Sequence, residues 1–219
     1  MKVEIWSDVA CPWCYIGKRR FERALDHFAH RNQIEVIWRS YQLDPGAPRN
    51  PGKKVNEILA SKYDVSLSQA AAMNDRVSAI AAQEGLEYHL EQARYSNTFD
   101  AHRLIHLAGT HHLQQDMEER LFKAYFTEGT ALGETEALVQ LAAEVGIDAD
   151  EARAVLAKDD YADEVRADVQ RARRLGIRGV PFFAIDEQYG VSGAQPSEVL
   201  REVLEQAWAA THPHGVLIQ

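Results

Sequence analysis

The two cysteines of this chain lie three residues apart, in the run Cys11-Pro12-Trp13-Cys14. On the first turn of a helix, two thiols at this spacing lie on nearly the same side and can close a short disulfide. Cys11 would lie at the helix N-terminus, where free backbone N–H groups and the helix dipole favour an anion. This setting lowers the pKa of a thiol and makes it nucleophilic near neutral pH. Cys14 would then be the resolving thiol that displaces Cys11 from a mixed disulfide.

Two other interpretations of the cysteine pair are open at this point. One is half of a zinc site, but a closed structural zinc site needs four ligands, and the chain has no third cysteine. The histidine pairs, His102 with His106 and His111 with His112, lie far along the sequence. The other interpretation is a pair of inert core cysteines. We predict no metal site and expect dithiol chemistry, because the motif directly follows a strand and opens a helix.

A second feature with chemical meaning is the bond between Val180 and Pro181, near the other end of the chain. An X–Pro bond at the beginning of a strand is a candidate cis peptide. A cis proline beside a dithiol would expose the backbone of Val180 to a substrate chain and place a ring without an N–H next to Cys11. The alternative is a trans proline on an edge strand, and the residues alone do not choose between the two.

The segments that would position the dithiol form a βαβ unit at the start of the chain. Residues 2–8 are rich in strand-forming side chains, and the cysteine motif follows directly. Apolar positions three to four apart then predict a helix from residue 15 to about residue 30, with Pro12 suited to its first turn. Alternating apolar residues predict a second strand over 34–43.

The rest of the chain predicts a long helical region and then a return to strands. A cluster of prolines and glycines over 45–52 marks a break, and residues 55–176 show apolar positions at helical spacing. Two short strands, 179–185 and 189–192, precede a final helix that begins at Pro196. The prediction is an α/β fold in which both ends of the chain share one sheet and the helices form an inserted cap.

Three stretches carry a family resemblance: Ser7 to Gly17, with the sequence SDVACPWCYIG, then Ser96 to Leu104, and Gly176 to Phe183. They resemble the DsbA-like thioredoxin superfamily, specifically its FrnE-type branch, which is related to 2-hydroxychromene-2-carboxylate isomerases and kappa-class glutathione transferases. The resemblance touches the start, middle and end of the chain. It implies a thioredoxin-like fold with a large all-helical insertion. Residues 1–52 and 177–219 would form the thioredoxin-like domain, and residues 53–176 the insertion.

The resemblance also implies roles for individual residues. Pro181 would be cis and would face the dithiol, so Cys11, Cys14 and Pro181 are the expected catalytic residues. The isomerase branch typically has serine at the nucleophile position, whereas this chain keeps both thiols, which favours redox chemistry. Some FrnE-type proteins carry a second cysteine pair, and a mechanism that needs one is excluded here. The expected substrate-binding residues are Pro12, Trp13, Val180, Asn97, Thr98 and His102.

A polar cluster in the helical region is the candidate second half of the site. Thr98 and His102 are four residues apart and share one helix face. Together with Asn97 they would bind a carboxylate or amide of glutathione or of a peptide. The alternative is that Ser96 or Asn97 caps the helix and that His102 is exposed or has its hydrogen bonds satisfied within the protein.

Four residues near the cysteines have both a functional and a structural interpretation. Asp8 could assist proton transfer, but we expect a solvated loop carboxylate. Trp13 would form part of a peptide- or thiol-binding surface, with simple packing as the alternative. We expect Lys18 and Arg19 to lie on a solvated helix face.

The composition limits the classes of partner. A chain of 219 residues with 46% hydrophobic and 26% charged residues resembles a soluble globular protein. The formal net charge of −9 argues against nucleic acid and anionic membrane surfaces as partners. No apolar stretch approaches the roughly 20 residues that span a bilayer. The N-terminus lacks the apolar run of a signal peptide, so we expect a cytoplasmic protein.

The sequence therefore predicts a thiol–disulfide oxidoreductase that acts through Cys11 and Cys14 on protein or low-molecular-weight disulfides. It would need no cofactor, with glutathione as the one candidate co-substrate, and its partners would be disulfide- or thiol-containing proteins, peptides or glutathione. In a reducing cytosol the dithiol would rest reduced, which favours reduction or isomerisation over net oxidation. Two alternatives are a glutathione-dependent isomerase or transferase for a small aromatic electrophile, and a chaperone-like peptide-binding module. No feature indicates an oligomeric state.

Overall fold

The computed structural model describes residues 1–50 and 52–212. This part of the chain contains four strands, nine α-helices and one short 3-10 turn. The strands are β1 (Lys2–Ser7), β2 (Glu35–Ser40), β3 (Phe182–Ile185) and β4 (Tyr189–Ser192). The helices are α1 (Pro12–Asp26), α2 (Val55–Tyr63), α3 (Leu67–Gln83), α4 (Phe99–Thr110), α5 (Gln114–Phe126), α6 (Thr135–Glu144), α7 (Ala149–Ala157), α8 (Ala162–Arg174) and α9 (Ser197–Thr211).

The strands from both ends of the chain form one sheet, in the order β2-β1-β3-β4. β1 pairs in parallel with β2, so that Val3 lies opposite Val36. On its other side β1 pairs antiparallel with β3, and Val3 lies opposite Ile185. The predicted α/β fold with a helical insertion is confirmed.

The central position of β1 explains why its side chains are buried on both faces of the sheet. Val3 and Ile5 belong to the main hydrophobic core, which also takes in residues of α1 and α9. Trp6 points the opposite way, because side chains alternate along a strand, and packs with Ala172 of α8 and Ile177 in a smaller core. Because β1 is covered on both faces, its C-terminal end is held in place. The cysteine motif follows that end of the strand.

Helix α1 begins earlier and ends earlier than the predicted span of 15 to about 30. Cys11 is its N-cap residue, in extended backbone conformation, and Pro12 occupies the first turn, where a missing N–H has no cost. The helix ends at Asp26, and Phe28 stays buried in the turn that follows. The apolar spacing includes Phe28 because that side chain still faces the core after the helix has ended.

Helices α2 to α8 lie between residues 53 and 176, on the stretch predicted to be the insertion. Buried side chains of α4 and α5, such as Leu104 and Phe122, belong to the same continuous core as the sheet residues. The domain limits stay a prediction, and residues 51 and 213–219 of the proposed thioredoxin-like domain lie outside the described residues. None of the described helices has the length and apolar character needed to cross a membrane.

Candidate active site

The two thiols lie at the N-terminus of α1, directly after the turn that follows β1. The backbone N–H of Cys11 donates to the carbonyl of Asp8 at 2.9 Å, and that of Cys14 donates to the carbonyl of Cys11 at 3.0 Å. Both cysteines are free thiols and both are buried, with 4% of Cys11 and 1% of Cys14 exposed. Cys11 is therefore the outer sulfur and Cys14 the inner one.

The segment before β3 lies against the cysteine motif. The sulfur of Cys11 is 3.6 Å from the carbonyl oxygen of Val180, and the Val180–Pro181 peptide bond is cis, as the resemblance implies. Pro181 packs on α1 at Gly17, where an added Cβ would lie 2.8 Å from the ring Cγ. Two distant parts of the sequence thus meet at Cys11.

The two residues between the cysteines differ in their surroundings. The indole of Trp13 is exposed beside the thiols, with 38% of the residue accessible. The carbonyl of Pro12 accepts a hydrogen bond of 2.7 Å from the hydroxyl of Tyr88. Tyr88 stacks on Phe126 of α5 at 4.8 Å between ring centroids. The helical insertion therefore holds the motif through a residue that sequence analysis did not single out.

The inner thiol has a strongly altered acidity. Burial raises the pKa of the Cys14 thiol well above its usual range, and the hydrogen bond with Cys11 and the charge on that sulfur raise it further. The backbone N–H of Asp8 and the hydroxyl of Ser7 act in the opposite direction on the Cys14 pKa. The balance of these effects on the pKa favours the protonated form of Cys14.

Asp8 is buried, so the prediction of a solvated loop carboxylate is wrong. Its Oδ1 accepts the N–H of Ala10 at 3.2 Å, and its Oδ2 accepts the N–H of Leu43 at 2.8 Å. These bonds fix the turn that leads into α1. The prediction failed because helix α4 covers the turn: Nε2 of its buried His102 lies 3.6 Å from Oδ1 of Asp8.

The solvated helix face predicted for Lys18 and Arg19 is also wrong. Lys18 is buried and forms ion pairs with Glu22 and, at 2.6 Å, with Glu119 of α5. Arg19 is partly covered and pairs with the same two carboxylates. The hydroxyl of Tyr15 also donates to Glu119, at 2.6 Å. The face is polar because it carries an ion-pair cluster between α1 and α5.

The three residues of the predicted polar cluster, Asn97, Thr98 and His102, lie in different surroundings. Asn97 is half-buried and caps α4, since its Oδ1 accepts the N–H of Phe99 at 2.8 Å and its amide donates to the carbonyl of Ala47 at 2.9 Å. Thr98 is buried at the N-cap position of α4. His102 is buried and lies next to Asp8. Direct substrate contact by these three residues stays a prediction, and the placement of His102 favours a role through Asp8.

Sequence analysis missed one buried acid, which contacts Ser7 at the end of β1. Glu118 of α5 is 1% exposed, and its Oε1 accepts a hydrogen bond of 2.7 Å from the hydroxyl of Ser7. Burial raises the pKa of Glu118 to about 7, while His102, Ser7 and Lys18 act to lower it. The sequence signal that could have predicted its burial is the spacing in α5: Glu118 lies three residues before Leu121 and therefore shares the apolar face of the helix.

His102 has an altered acidity as well. Burial by itself would lower its pKa, but the neighbouring Asp8 carboxylate and the charge of Glu118 outweigh burial and raise it. Asp8, His102 and Glu118 thus form a buried polar group behind the thiols. In the described part of the chain, no set of three or more histidine, cysteine or acidic side chains is arranged to hold a metal ion.

Comparison with known proteins identifies the family of this chain. Residues 2–205 match the DSBA-like thioredoxin domain family. The chain belongs to this family. The DsbA-like chain is also similar to a solved structure, a probable DsbA oxidoreductase from Streptomyces coelicolor, with 47% identity and a TM-score of 0.93 over 99% of this chain and 94% of that one.

Two more distant solved structures share the fold of the DsbA-like chain. A 2-hydroxychromene-2-carboxylate isomerase has 16% identity and a TM-score of 0.73, with 96% of this chain and 98% of that one covered. The cytosolic disulfide reductase DsbM from Pseudomonas aeruginosa has 17% identity and a TM-score of 0.67, with 96% of this chain and all of that one covered. DsbM has also been solved with GSH.

Proposed function

We propose that this DsbA-like chain is a thiol–disulfide oxidoreductase in which Cys11 is the nucleophile, Cys14 resolves, and Val180 and Pro181 position the substrate. One observation carries the proposal: Cys11 is the N-cap residue of α1 and its sulfur lies 3.6 Å from the Val180 carbonyl oxygen, while Cys14 is the more deeply buried thiol and has a raised pKa. Cys11 is the more exposed of the two thiols, so it is the one that would react with a substrate, and Cys14 would react with Cys11.

In the reductive direction the reaction has two exchanges. The Cys11 thiolate attacks a substrate disulfide, a mixed disulfide forms on Cys11, and the first substrate thiolate leaves. Cys14 then attacks the Cys11 sulfur, an intramolecular disulfide forms, and the second substrate thiolate leaves. Two electrons pass from the dithiol to the substrate. The exposed Trp13 offers apolar surface beside the reacting sulfur, and the Val180 backbone offers an extended chain a pairing partner.

The reductive direction and glutathione as co-substrate are supported by a relative of the same fold. DsbM is named a cytosolic disulfide reductase and has a structure with GSH. We propose the same setting for this chain, a cytoplasmic protein whose partners are disulfide- or thiol-containing proteins, peptides or glutathione. Glutathione would restore the dithiol by reducing the Cys11–Cys14 disulfide, becoming oxidised glutathione.

Trapping of the mixed disulfide tests the assignment of the two sulfurs. The Cys14→Ser variant, mixed with oxidised glutathione or a disulfide-bonded peptide, should accumulate an adduct on Cys11 that mass spectrometry detects. The Cys11→Ser variant should accumulate none, because its remaining thiol is buried and keeps its proton. An adduct on Cys14 in the Cys11→Ser variant, with none on Cys11 in the other, would reverse the proposed roles.

The likeness to a 2-hydroxychromene-2-carboxylate isomerase favours a second candidate, a glutathione-dependent isomerase or transferase acting on a small aromatic electrophile. The two candidate functions differ in whether they need Cys14. Disulfide reduction needs the resolving thiol, so Cys14→Ser should abolish its turnover. Turnover of an aromatic electrophile with glutathione that survives in Cys14→Ser, without disulfide reductase activity in the parent, would select the second candidate.

A further inference from the structure

The stretch of chain around Pro181 is positively charged, in contrast to the protein as a whole. Residues 169–185 contain four arginines and no acidic residue, whereas the chain has a net charge of −9. Arg171 is paired with Glu4 at 2.7 Å and with Glu187 at 2.8 Å. The other three, Arg173, Arg174 and Arg178, are exposed, and within residues 1–50 and 52–212 none of them forms an ion pair.

The position of each exposed arginine shows which of them needs a further explanation. Arg173 and Arg174 lie in the last turn of α8, where positive side chains complement the partial negative charge of a helix C-terminus. Gly176, with a φ of 73°, turns the chain away from the helix, and Arg178 lies beyond that turn. The helix dipole therefore accounts for Arg173 and Arg174 but not for Arg178.

The segment that carries Arg178 is held beside the reacting sulfur. Ile177 is buried in the smaller core, and the carbonyl oxygen of Val180 lies 3.6 Å from the sulfur of Cys11. Because a chain spans at most about 3.3–3.6 Å per residue, the Cα atoms of Arg178 and Val180 are at most about 7 Å apart. A Cβ added at Gly179 would meet no atom within 4 Å, so there is free space beside this backbone.

The acidic residues nearest to Arg178 along the chain are engaged elsewhere. Oδ2 of Asp168 accepts the N–H of Ser40 at 3.0 Å. Oδ1 of Asp186 accepts the N–H of Lys2 at 2.7 Å, at the end of β1 opposite to the cysteine motif. The charge of Arg178 is thus available to a partner. On a protein that is acidic overall, such a local positive charge draws acidic groups to that place, while the rest of the surface repels them.

We propose, on the basis of the proposed function, that Arg178 selects polypeptide disulfides that carry an acidic side chain two or three residues from the reacting cysteine. A substrate sulfur at Cys11 brings the substrate chain beside Val180. Residues two or three positions along that chain then lie level with Arg178, because extended chains have similar lengths per residue. A guanidinium binds a carboxylate through two parallel hydrogen bonds. Arg178 acts on the binding and association rate of the substrate, and the two thiol exchanges are unchanged.

The charge preference can be measured with three disulfide-bonded peptides. The peptides are identical except that the positions two and three residues from the cysteine hold glutamate, glutamine or lysine. The second-order rate constant for their reduction by the parent dithiol is measured at low salt. We expect the glutamate peptide to react about tenfold faster than the lysine peptide, with the glutamine peptide between them. The difference should disappear in about 1 M salt, where charges more than about 3 Å apart are screened.

Substitutions of arginine separate a local contact from an effect of net charge. Arg178→Gln should remove most of the preference, and Arg178→Glu should reverse it. The matched control is Arg201→Gln in α9, which removes the same charge. Arg201 lies with Arg23 and His27 at the C-terminal end of α1, roughly 18 Å along the helix from Cys11, so this variant should keep the preference. Thermal unfolding of each variant shows whether it is folded in the assay.

An uncharged small disulfide, hydroxyethyl disulfide, measures the reactivity of Cys11 separately from the charge of the substrate. It should react at the parent rate with all three variants, because it has no carboxylate for Arg178 to bind. A glutamate preference that is lost in Arg178→Gln and kept in Arg201→Gln supports the proposal.

Three results would contradict the account at different levels. Equal rates for the three peptides at low salt, or a preference that persists in Arg178→Gln, overturn the selection by charge and leave the dithiol function standing. An equal slowing of Arg178→Gln with peptides and with hydroxyethyl disulfide also overturns it, since Arg178 would then act on Cys11 and not on the substrate. A parent protein that reduces neither the peptides nor hydroxyethyl disulfide overturns the proposed function itself.

Discussion

Gly17 lies where α1 packs against Pro181, and the absence of a side chain at this position permits the contact. A Cβ at this position would be 2.8 Å from Cγ and 3.4 Å from Cβ of the proline. Gly17→Ala gains up to about 1 kcal/mol in helix propensity, but overpacking costs about 1–3 kcal/mol. We expect a net loss of about 1 kcal/mol in the free energy of unfolding and a slower reaction of Cys11 with disulfides, because Pro181 is displaced.

Denaturant unfolding and stopped-flow kinetics measure both effects of Gly17→Ala. The matched control is Gly109→Ala in α4, where the nearest atom to an added Cβ is 3.6 Å away on the side chain of Gln114. That variant should be as stable as the parent or more stable, with unchanged kinetics. A Gly17→Ala protein that behaves like Gly109→Ala would show that the close approach to Pro181 does not matter.

Sequence reasoning reached some residues of the candidate site and missed others for a physical reason. Cys11 and Cys14 could be predicted because their spacing on a helix is local information, and the position of Pro181 followed from the family resemblance. The burial of Asp8 depends on α4, which approaches from about a hundred residues away. Glu118 enters the site in the same way from α5. Local periodicity identifies neither contact.

At the level of elements, α1 and α5 are joined by the ion-pair cluster of Lys18, Arg19 and Glu119. Burial would raise the pKa of Glu119, but its hydrogen bonds with Arg19 and the charge of Lys18 lower it to about 2. A carboxyl with a lowered folded pKa stabilises the protein above its unfolded pKa of about 4.5, and this stability is lost as the pH falls towards 2. Glu119→Gln should therefore cost about 1–2 kcal/mol at pH 7, after allowance for solvent screening, and progressively less below pH 4.5.

Urea unfolding of parent and Glu119→Gln at several pH values between 7 and 3 measures this difference. The control is Glu136→Gln, which breaks an exposed ion pair with Arg153 between α6 and α7 and should change the unfolding free energy little. A cost for Glu119→Gln that stays constant down to pH 3 would mean that the carboxylate charge does not stabilise the junction of α1 and α5.

The elements themselves were largely predictable, with errors at their ends. The strand β4, at Tyr189–Ser192, agrees with its predicted limits. The predicted strand over 34–43 is shorter in the structure, because the ladder with β1 ends where β1 itself ends, at Ser7 opposite Ser40. The predicted start of β3 at 179 is three residues early, since the stretch before Phe182 lies against Cys11 instead of pairing in the sheet. Ends of elements thus follow tertiary contacts more than local pattern.

In the described residues, the main hydrophobic core joins the sheet to the helical insertion, and this has a consequence for unfolding. The four tryptophans, Trp6, Trp13, Trp38 and Trp208, all lie outside the stretch from 53 to 176, whereas most of the helix is inside it. Tryptophan fluorescence therefore reports on the thioredoxin-like part, and circular dichroism at 222 nm mainly on the insertion. We expect coincident urea transitions by the two probes, as for a single cooperative unit. Two separated transitions would instead show that the insertion is an independently folding domain.

The most direct test of the account is a redox titration of the dithiol in glutathione buffers, with acid quenching, alkylation and mass spectrometry. We predict a two-electron transition in which Cys11 and Cys14 are oxidised together to an intramolecular disulfide, with a midpoint near or below the cytosolic glutathione poise of about −220 to −260 mV. Cys11→Ser and Cys14→Ser should show no such transition. A parent protein that never forms the Cys11–Cys14 disulfide at any ratio of reduced to oxidised glutathione would contradict the central claim, and a midpoint near −120 mV, typical of a strong oxidant, would contradict the reductive direction.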